Sequence, residues 1–178
     1  SDVDRPTTVT VTDNNGGATG DESVREDLTL SGKSFALTAP DGLDKITVGT
    51  TDVTLAQLNA LGTTPVAIVT AQGTLTLTGF SAGTVTYSYD PSGTSKNHTA
   101  GDSSVFDSIG LSVTDADGDV SNGTLVILIT DTVPVANADT NSAVENGAAV
   151  TGNVITTGGG ADTLNADTPV NVTSADQG

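Results

Sequence analysis

The pentapeptide Asp115-Ala116-Asp117-Gly118-Asp119 sets three carboxylates at alternate positions over five residues. A turn that crowds like charges this closely is costly unless something neutralises it. Hard divalent cations do so. Calcium above all takes about six to eight oxygen ligands and favours clustered carboxylates, with backbone carbonyls and water filling the remainder. Asp115, Asp117 and Asp119 are therefore candidate metal ligands. The alternative is a solvated acidic turn with Gly118 at positive φ.

The elements around the loop decide which kind of cation loop it is. An EF-hand also begins Asp-x-Asp but needs Gly at its sixth position and Glu at its twelfth. Counting from Asp115, those positions hold Val120 and Val126. The flanks are strand-like, with alternating segments at Ile109 to Val113 and Leu125 to Ile129. The spacing predicts a β-hairpin loop whose oxygens converge on one ion.

Alternation with period two dominates the rest of the chain. Val9 to Thr12, Leu28 to Leu30, Gly73 to Thr78, Thr84 to Tyr89 and Val170 to Val172 all read as strands. Each is bounded by Gly, Asn, Asp, Ser or Pro, the pattern of a β-sandwich or barrel. Threonine fills many polar positions, where its branched Cβ suits the pleat. The one helical signal is Thr54 to Leu61, with Leu55, Leu58 and Leu61 at spacing three and Gly62 as a stop.

Composition sets the class. The 178 residues carry 22 acids against five bases, a formal net charge of -17. Only Glu22, Glu26 and Glu145 are glutamates; the other acids are aspartates, which favour turns and metal loops. Such a charge argues against nucleic acid, whose phosphates need Lys and Arg, and against anionic membrane surfaces. Disorder is the plain reading of an acidic chain with few aromatics, but 35% of residues are hydrophobic and fall in alternating runs. The absence of Cys excludes disulfide staples and leaves metal to stiffen the chain. No signal peptide and no apolar run of membrane-spanning length is visible. The chain opens in mid-pattern with Ser1-Asp2-Val3, as a segment of something longer would.

An internal repeat is visible. Val9-Thr10-Val11-Thr12-Asp13 matches Ile127-Leu128-Ile129-Thr130-Asp131, and the match resumes with Val24 on Val144, Leu30 on Val150 and Gly32 on Gly152. A period of about 119 residues fits one immunoglobulin-like sandwich per repeat. Residues 1–23 then form the final strand of a preceding repeat and its linker. Residues 24–131 form one immunoglobulin-like β-sandwich. Residues 132–178 form a linker and the start of the next repeat, or complete a split domain.

The run from Val113 through Asp115-Ala116-Asp117-Gly118-Asp119 and Leu125-Val126-Ile127 to Thr130-Asp131-Thr132-Val133-Pro134 resembles the repeat ends of large type I secreted RTX adhesins. These are biofilm and surface adhesins of Gram-negative bacteria. The resemblance extends upstream through Phe35-Ala36-Leu37-Thr38-Ala39-Pro40-Asp41-Gly42, Gly73 to Leu77 and Tyr87-Ser88-Tyr89. It implies an all-β, calcium-stabilised, immunoglobulin-like or cadherin-like sandwich in a tandem array. The implied work is mechanical: an extracellular extender that projects a binding region, with neighbouring repeats as partners and the host or biofilm ligand bound elsewhere in the full protein. Calcium would also sit between domains. Asp131, Asp139 and Glu145 on one side and Asp13, Asp21 and Glu26 on the other hold the comparable places; a flexible polar linker is the alternative. The rival function is a glycan- or peptide-binding module of the same adhesin.

Three further motifs carry less. Gly158-Gly159-Gly160-Ala161-Asp162-Thr163-Leu164 is close to one RTX nonapeptide, but a β-roll needs stacked copies. His98, the single histidine, lies in a polar loop and has no Cys to activate. With three Phe, two Tyr and no Trp there is little to stack a sugar in a hydrolase cleft. The sequence therefore reads as non-enzymatic.

Overall fold

A computed structural model describes residues 5–15, 20–91, 96, 104–132, 135, 137–138, 142, 144–150 and 162. The expected strand Val170 to Val172, His98 and the Gly-rich segment apart from Asp162 lie outside the described residues. The chain divides into two units, Ser1–Thr130 and Asp131–Gly178.

The first unit is an all-β sandwich of two five-stranded sheets. The first sheet has the order β1 (Thr8–Thr10), β3 (Leu30–Thr38), β8 (Thr84–Asp90), β7 (Thr74–Ser81), β6 (Val66–Val69). The second has the order β2 (Glu22–Arg25), β10 (Val120–Thr130), β9 (Ser104–Asp115), β4 (Leu43–Val48), β5 (Thr51–Thr54). Neighbours pair antiparallel except β2, which runs parallel to β10 with Glu22 opposite Ile127. Residues 8–10 lie in this sandwich as β1, with Val9 opposite Leu37.

Alternation explains the core. Phe35, Leu37, Leu75, Leu77, Val85, Tyr87 and Tyr89 of the first sheet face Ile46, Val48, Ile109, Leu111, Val113, Leu125, Ile127 and Ile129 of the second, all buried. The intervening Thr and Ser side chains point outward. The Phe35 and Tyr87 rings lie 6.1 Å apart between centroids, tilted by 36°. Each such fully buried side chain contributes about 1.5–3 kcal/mol relative to exposure.

The expected helix is α1 (Leu55–Ala60). Thr54 and Gln57 form a reciprocal capping box: Gln57 N–H donates to Thr54 Oγ1 at 3.3 Å and Thr54 N–H to Gln57 Oε1 at 2.9 Å. The leucine spacing buries Leu58 and Leu61, with α1 packed against β4, β5 and β7. Strands β2, β4, β5 and β6 join those that alternation predicted, and β3 begins only at Leu30, past Leu28 and Thr29.

In the second unit the described backbone includes a turn in which Gly147 N–H donates to the Val144 carbonyl at 2.9 Å, with Asn146 at φ 61°. Asn137 N–H donates to Asp162 Oδ1 at 2.7 Å.

Candidate metal centre

Strands β9 and β10 form the longest hairpin among the described residues, with Thr114 opposite Val120. Residues 115–119 turn between them. Asp115 is the last residue of β9 and sits at a core-facing position, only 2% exposed. Its carboxylate builds the turn. Oδ1 accepts Gly118 N–H at 3.1 Å and Asp119 N–H at 2.8 Å, and the Asp115 N–H donates to the Asp119 carbonyl at 3.1 Å. The turn needs Gly118 because its φ is 103°, a value that a side chain would strain. Asp117 and Asp119 are exposed.

Two other segments close on the loop. Ala116 N–H donates to the Gly42 carbonyl at 2.8 Å. From the start of the chain, Thr7 Oγ1 donates to Asp115 Oδ2 at 2.5 Å, and Arg5 N–H donates to Asp41 Oδ2 at 3.0 Å. The chain thus enters the sandwich at the loop end. Strand β10 starts at the loop and ends at Thr130, about 33 Å away at the rise of a β-strand.

One oxygen each from Asp115, Asp117 and Asp119 lies within 4.8 Å of the others. The electrostatics follow from this crowding. Hydrogen bonds from Thr7, then from Asp117, and then from the Asp119 and Gly118 amides hold Asp115 down to about 2, outweighing its burial. Asp117 is pushed up, first by its hydrogen bond with Asp115, then by desolvation and the charges of Asp115 and Asp119. Metal-free, the pair therefore shares a proton more readily than isolated carboxylates do. A cation would replace that proton. The donor set is all hard oxygen, without His or Cys, which suits calcium or magnesium and not a soft metal.

The other expected ligands of the first unit have their own contacts. Asp13 Oδ1 accepts Asn15 N–H at 2.8 Å in a local turn. Asp21 Oδ2 accepts Val126 N–H at 2.7 Å, tying the approach to β2 onto β10. Glu26 is buried, and its N–H donates to the Thr130 carbonyl at 3.0 Å. Asp131 opens the second unit and Glu145 lies in its exposed turn. Asp139 lies outside the described residues. Among the described residues, Asp115, Asp117 and Asp119 are the one group of three acids gathered closely enough for a metal.

Sequence reading missed three buried polar groups. Glu22 is 2% exposed and accepts from Lys33 Nζ at 2.7 Å and Asn14 Nδ2 at 2.6 Å. Asp107 is 1% exposed, and its Oδ2 accepts from Tyr89 Oη at 2.6 Å, Thr70 Oγ1 at 2.5 Å and Gln72 N–H at 3.2 Å. Burial and Asp107 push the Tyr89 hydroxyl well above the usual phenol range. Lys96 is also buried and donates to the Pro91 carbonyl; burial lowers it, against the pull of Glu26, Asp107 and Asp90. For Asp107 a signal existed. In β9, Val105, Asp107, Ile109, Leu111, Val113 and Asp115 occupy one line of alternate positions, so both acids fall on the core face.

No protein-family model, curated protein or solved structure matches the chain. Among the described residues no helix is long and apolar enough to cross a membrane.

Proposed function

We propose that this chain is a calcium-rigidified structural extender of a bacterial cell-surface adhesin, acting outside the cell to project a distal binding region. The observation that carries the reading is the convergence of Asp115, Asp117 and Asp119 at the end of the β9–β10 hairpin. Calcium there would neutralise three carboxylates and fix the turn that β9, β10 and the 41–43 segment share. Asp115 would supply an oxygen while its other contacts hold the loop, and Asp117 and Asp119 would supply the exposed oxygens. Bound calcium stabilises the folded state alone, so the module would stiffen where calcium is abundant.

The path of the chain supports the mechanical part. It enters the sandwich beside the loop and leaves β10 at the opposite end, as a module linked end to end with neighbouring repeats must. Neighbouring repeats of the same chain are its partners on this reading.

The test is thermal unfolding of the chain in calcium, in magnesium and in excess chelator. A melting temperature that rises with calcium, and rises less with magnesium, is expected. An unchanged melting temperature in all three would remove the calcium reading.

A further inference from the structure

Charge is distributed very unevenly in this molecule. Residues 53–89 contain no Asp, Glu, Lys, Arg or His, although at the chain average of 15% charged such a run would hold about five. These residues build α1, β6, β7 and β8, one edge of the first sheet and the groove beside it.

The four sheet edges differ accordingly. Edge strand β2 carries Glu22 and Arg25, and β5 carries Asp52 bound by Lys45 at 2.6 Å. Strand β1 is three residues long, with Arg5 and Asp13 close by in sequence. Charges and shortness are the usual protection of an open edge. Strand β6 is Val66-Ala67-Ile68-Val69, without a charge, bonded to β7 on one side and to no strand on the other among the described residues. Val69 is 85% exposed, more than any other large hydrophobic residue described. Beyond the four residues that β6 covers, β7 borders a groove of about 400 Å³ lined by Leu58, Asn59, Gly79, Phe80, Thr84 and Thr86. Pro65, immediately before β6, limits pairing to the strand itself.

We propose that β6 is a self-association edge, pairing antiparallel with β6 of a second copy across a two-fold axis to join the first sheets of the two molecules. Charge selects the edge on which two copies can meet. Two copies of net charge -17 repel over their acidic surfaces, and an edge strand without charges is where they approach at least cost. A two-fold contact is self-complementary, so one apolar edge is enough for both sides. Four residues per copy bury less than a stable dimer needs, so the association is weak and concentration-dependent.

Sedimentation equilibrium from about 10 μM to 1 mM, in about 0.15 M and 1 M NaCl, tests the proposal; the higher salt shortens screening to about 3 Å. Chelator is present throughout, so that cations cannot bridge the copies. A reversible monomer–dimer equilibrium that tightens with salt is expected. Val69→Asp and Ala67→Asp, both at exposed positions, should each weaken it about tenfold by setting like charges across the axis. Thr47→Asp, which adds the same charge on the second sheet, should leave it unchanged. Hydrogen exchange at high concentration should slow at amides of residues 66–69. A monomer at every concentration in 1 M salt overturns the proposal. So does a dimer that Thr47→Asp weakens as much as Val69→Asp, or one that leaves exchange at β6 unchanged.

Discussion

Thr7 and Asp115 are 108 residues apart in sequence, and the threonine hydroxyl donates to the aspartate carboxylate at 2.5 Å within the sandwich. That one bond fixes the entry of the chain to the loop that gathers the acids. It also gives Asp115 two duties, since Oδ2 holds Thr7 while Oδ1 holds the Gly118 and Asp119 amides. The loop end of the module is thus ordered by a carboxylate before any cation contributes.

Removing the hydroxyl while keeping the shape tests this. Thr7→Val leaves Asp115 Oδ2 short of a donor in a buried place. The melting temperature should fall by about 5 °C, with or without calcium. Thr7→Ser restores the donor and should recover most of the loss. Differential scanning calorimetry of the three proteins in chelator and in calcium measures both effects.

The three aspartates should separate by role. Asp117→Asn and Asp119→Asn remove like charge from an exposed loop. In chelator they should leave stability unchanged or slightly raised, and in calcium they should lose the calcium-dependent increment, with affinity weakened about tenfold or more. Asp115→Asn gives up a charge-assisted acceptor and should destabilise the fold in both conditions. Isothermal titration with calcium, paired with melting curves, distinguishes a ligand that only binds from one that also builds the turn.

Protons should compete with the cation in a defined order. Asp117 is raised, so in the metal-free protein it protonates first as the pH falls, and metal-free stability declines as the pH rises through its folded value. Calcium reverses that trend by taking the place of the proton. The difference in melting temperature between calcium and chelator should therefore shrink on acidification as Asp117 protonates. Asp115, held at about 2, stabilises the fold above the usual carboxylate range, and that contribution is lost as the pH falls toward 2. Melting curves from pH 3 to 7 in the two conditions show both trends; a calcium increment constant over that range contradicts the assignment of Asp117 as a ligand.

What the sequence shows of this structure depends on how local the determinants are. The alternate aspartates and Gly118 are legible because the turn is made by neighbours, and α1 because its capping box and leucine spacing span eight residues. Strand β4 is hidden because Asp44 and Lys45 break its alternation before Ile46 and Val48. Strand β3 is legible only at its start, at Leu30, because Gly32 and Lys33 follow at a bulge, where its register on β8 shifts between Leu30 and Lys33. The contact of Thr7 with Asp115 has no local signal at all, because only the pairing of β1 with β3 brings the hydroxyl there. The scattered positions of Asp13 and Asp21 have the same cause: each carboxylate accepts a separate backbone amide that spacing alone does not reveal.

Gly73 marks another place where packing overrides what the sequence suggests, since alternation reads it as part of a strand and it lies just before β7. A Cβ there would lie 2.4 Å from the Asp90 carbonyl oxygen and 2.8 Å from Tyr89 Oη. The carbonyl belongs to a strand held on both sides, and the hydroxyl is bound to the buried Asp107 at 2.6 Å, so neither can yield cheaply. Gly73→Ala should cost about 1–3 kcal/mol through overpacking. Gly62→Ala, with open space around its Cα and an ordinary backbone angle, should be neutral or stabilising by up to about 1 kcal/mol through the unfolded chain. Urea unfolding of the pair gives the comparison directly. Tyr89→Phe adds the decisive third point: if the clash acts through the hydroxyl, Gly73→Ala should cost less in the Tyr89→Phe background than alone, and an additive double variant would assign the cost to the Asp90 carbonyl and the Tyr89 ring carbon Cζ, 2.9 Å away, which Phe retains.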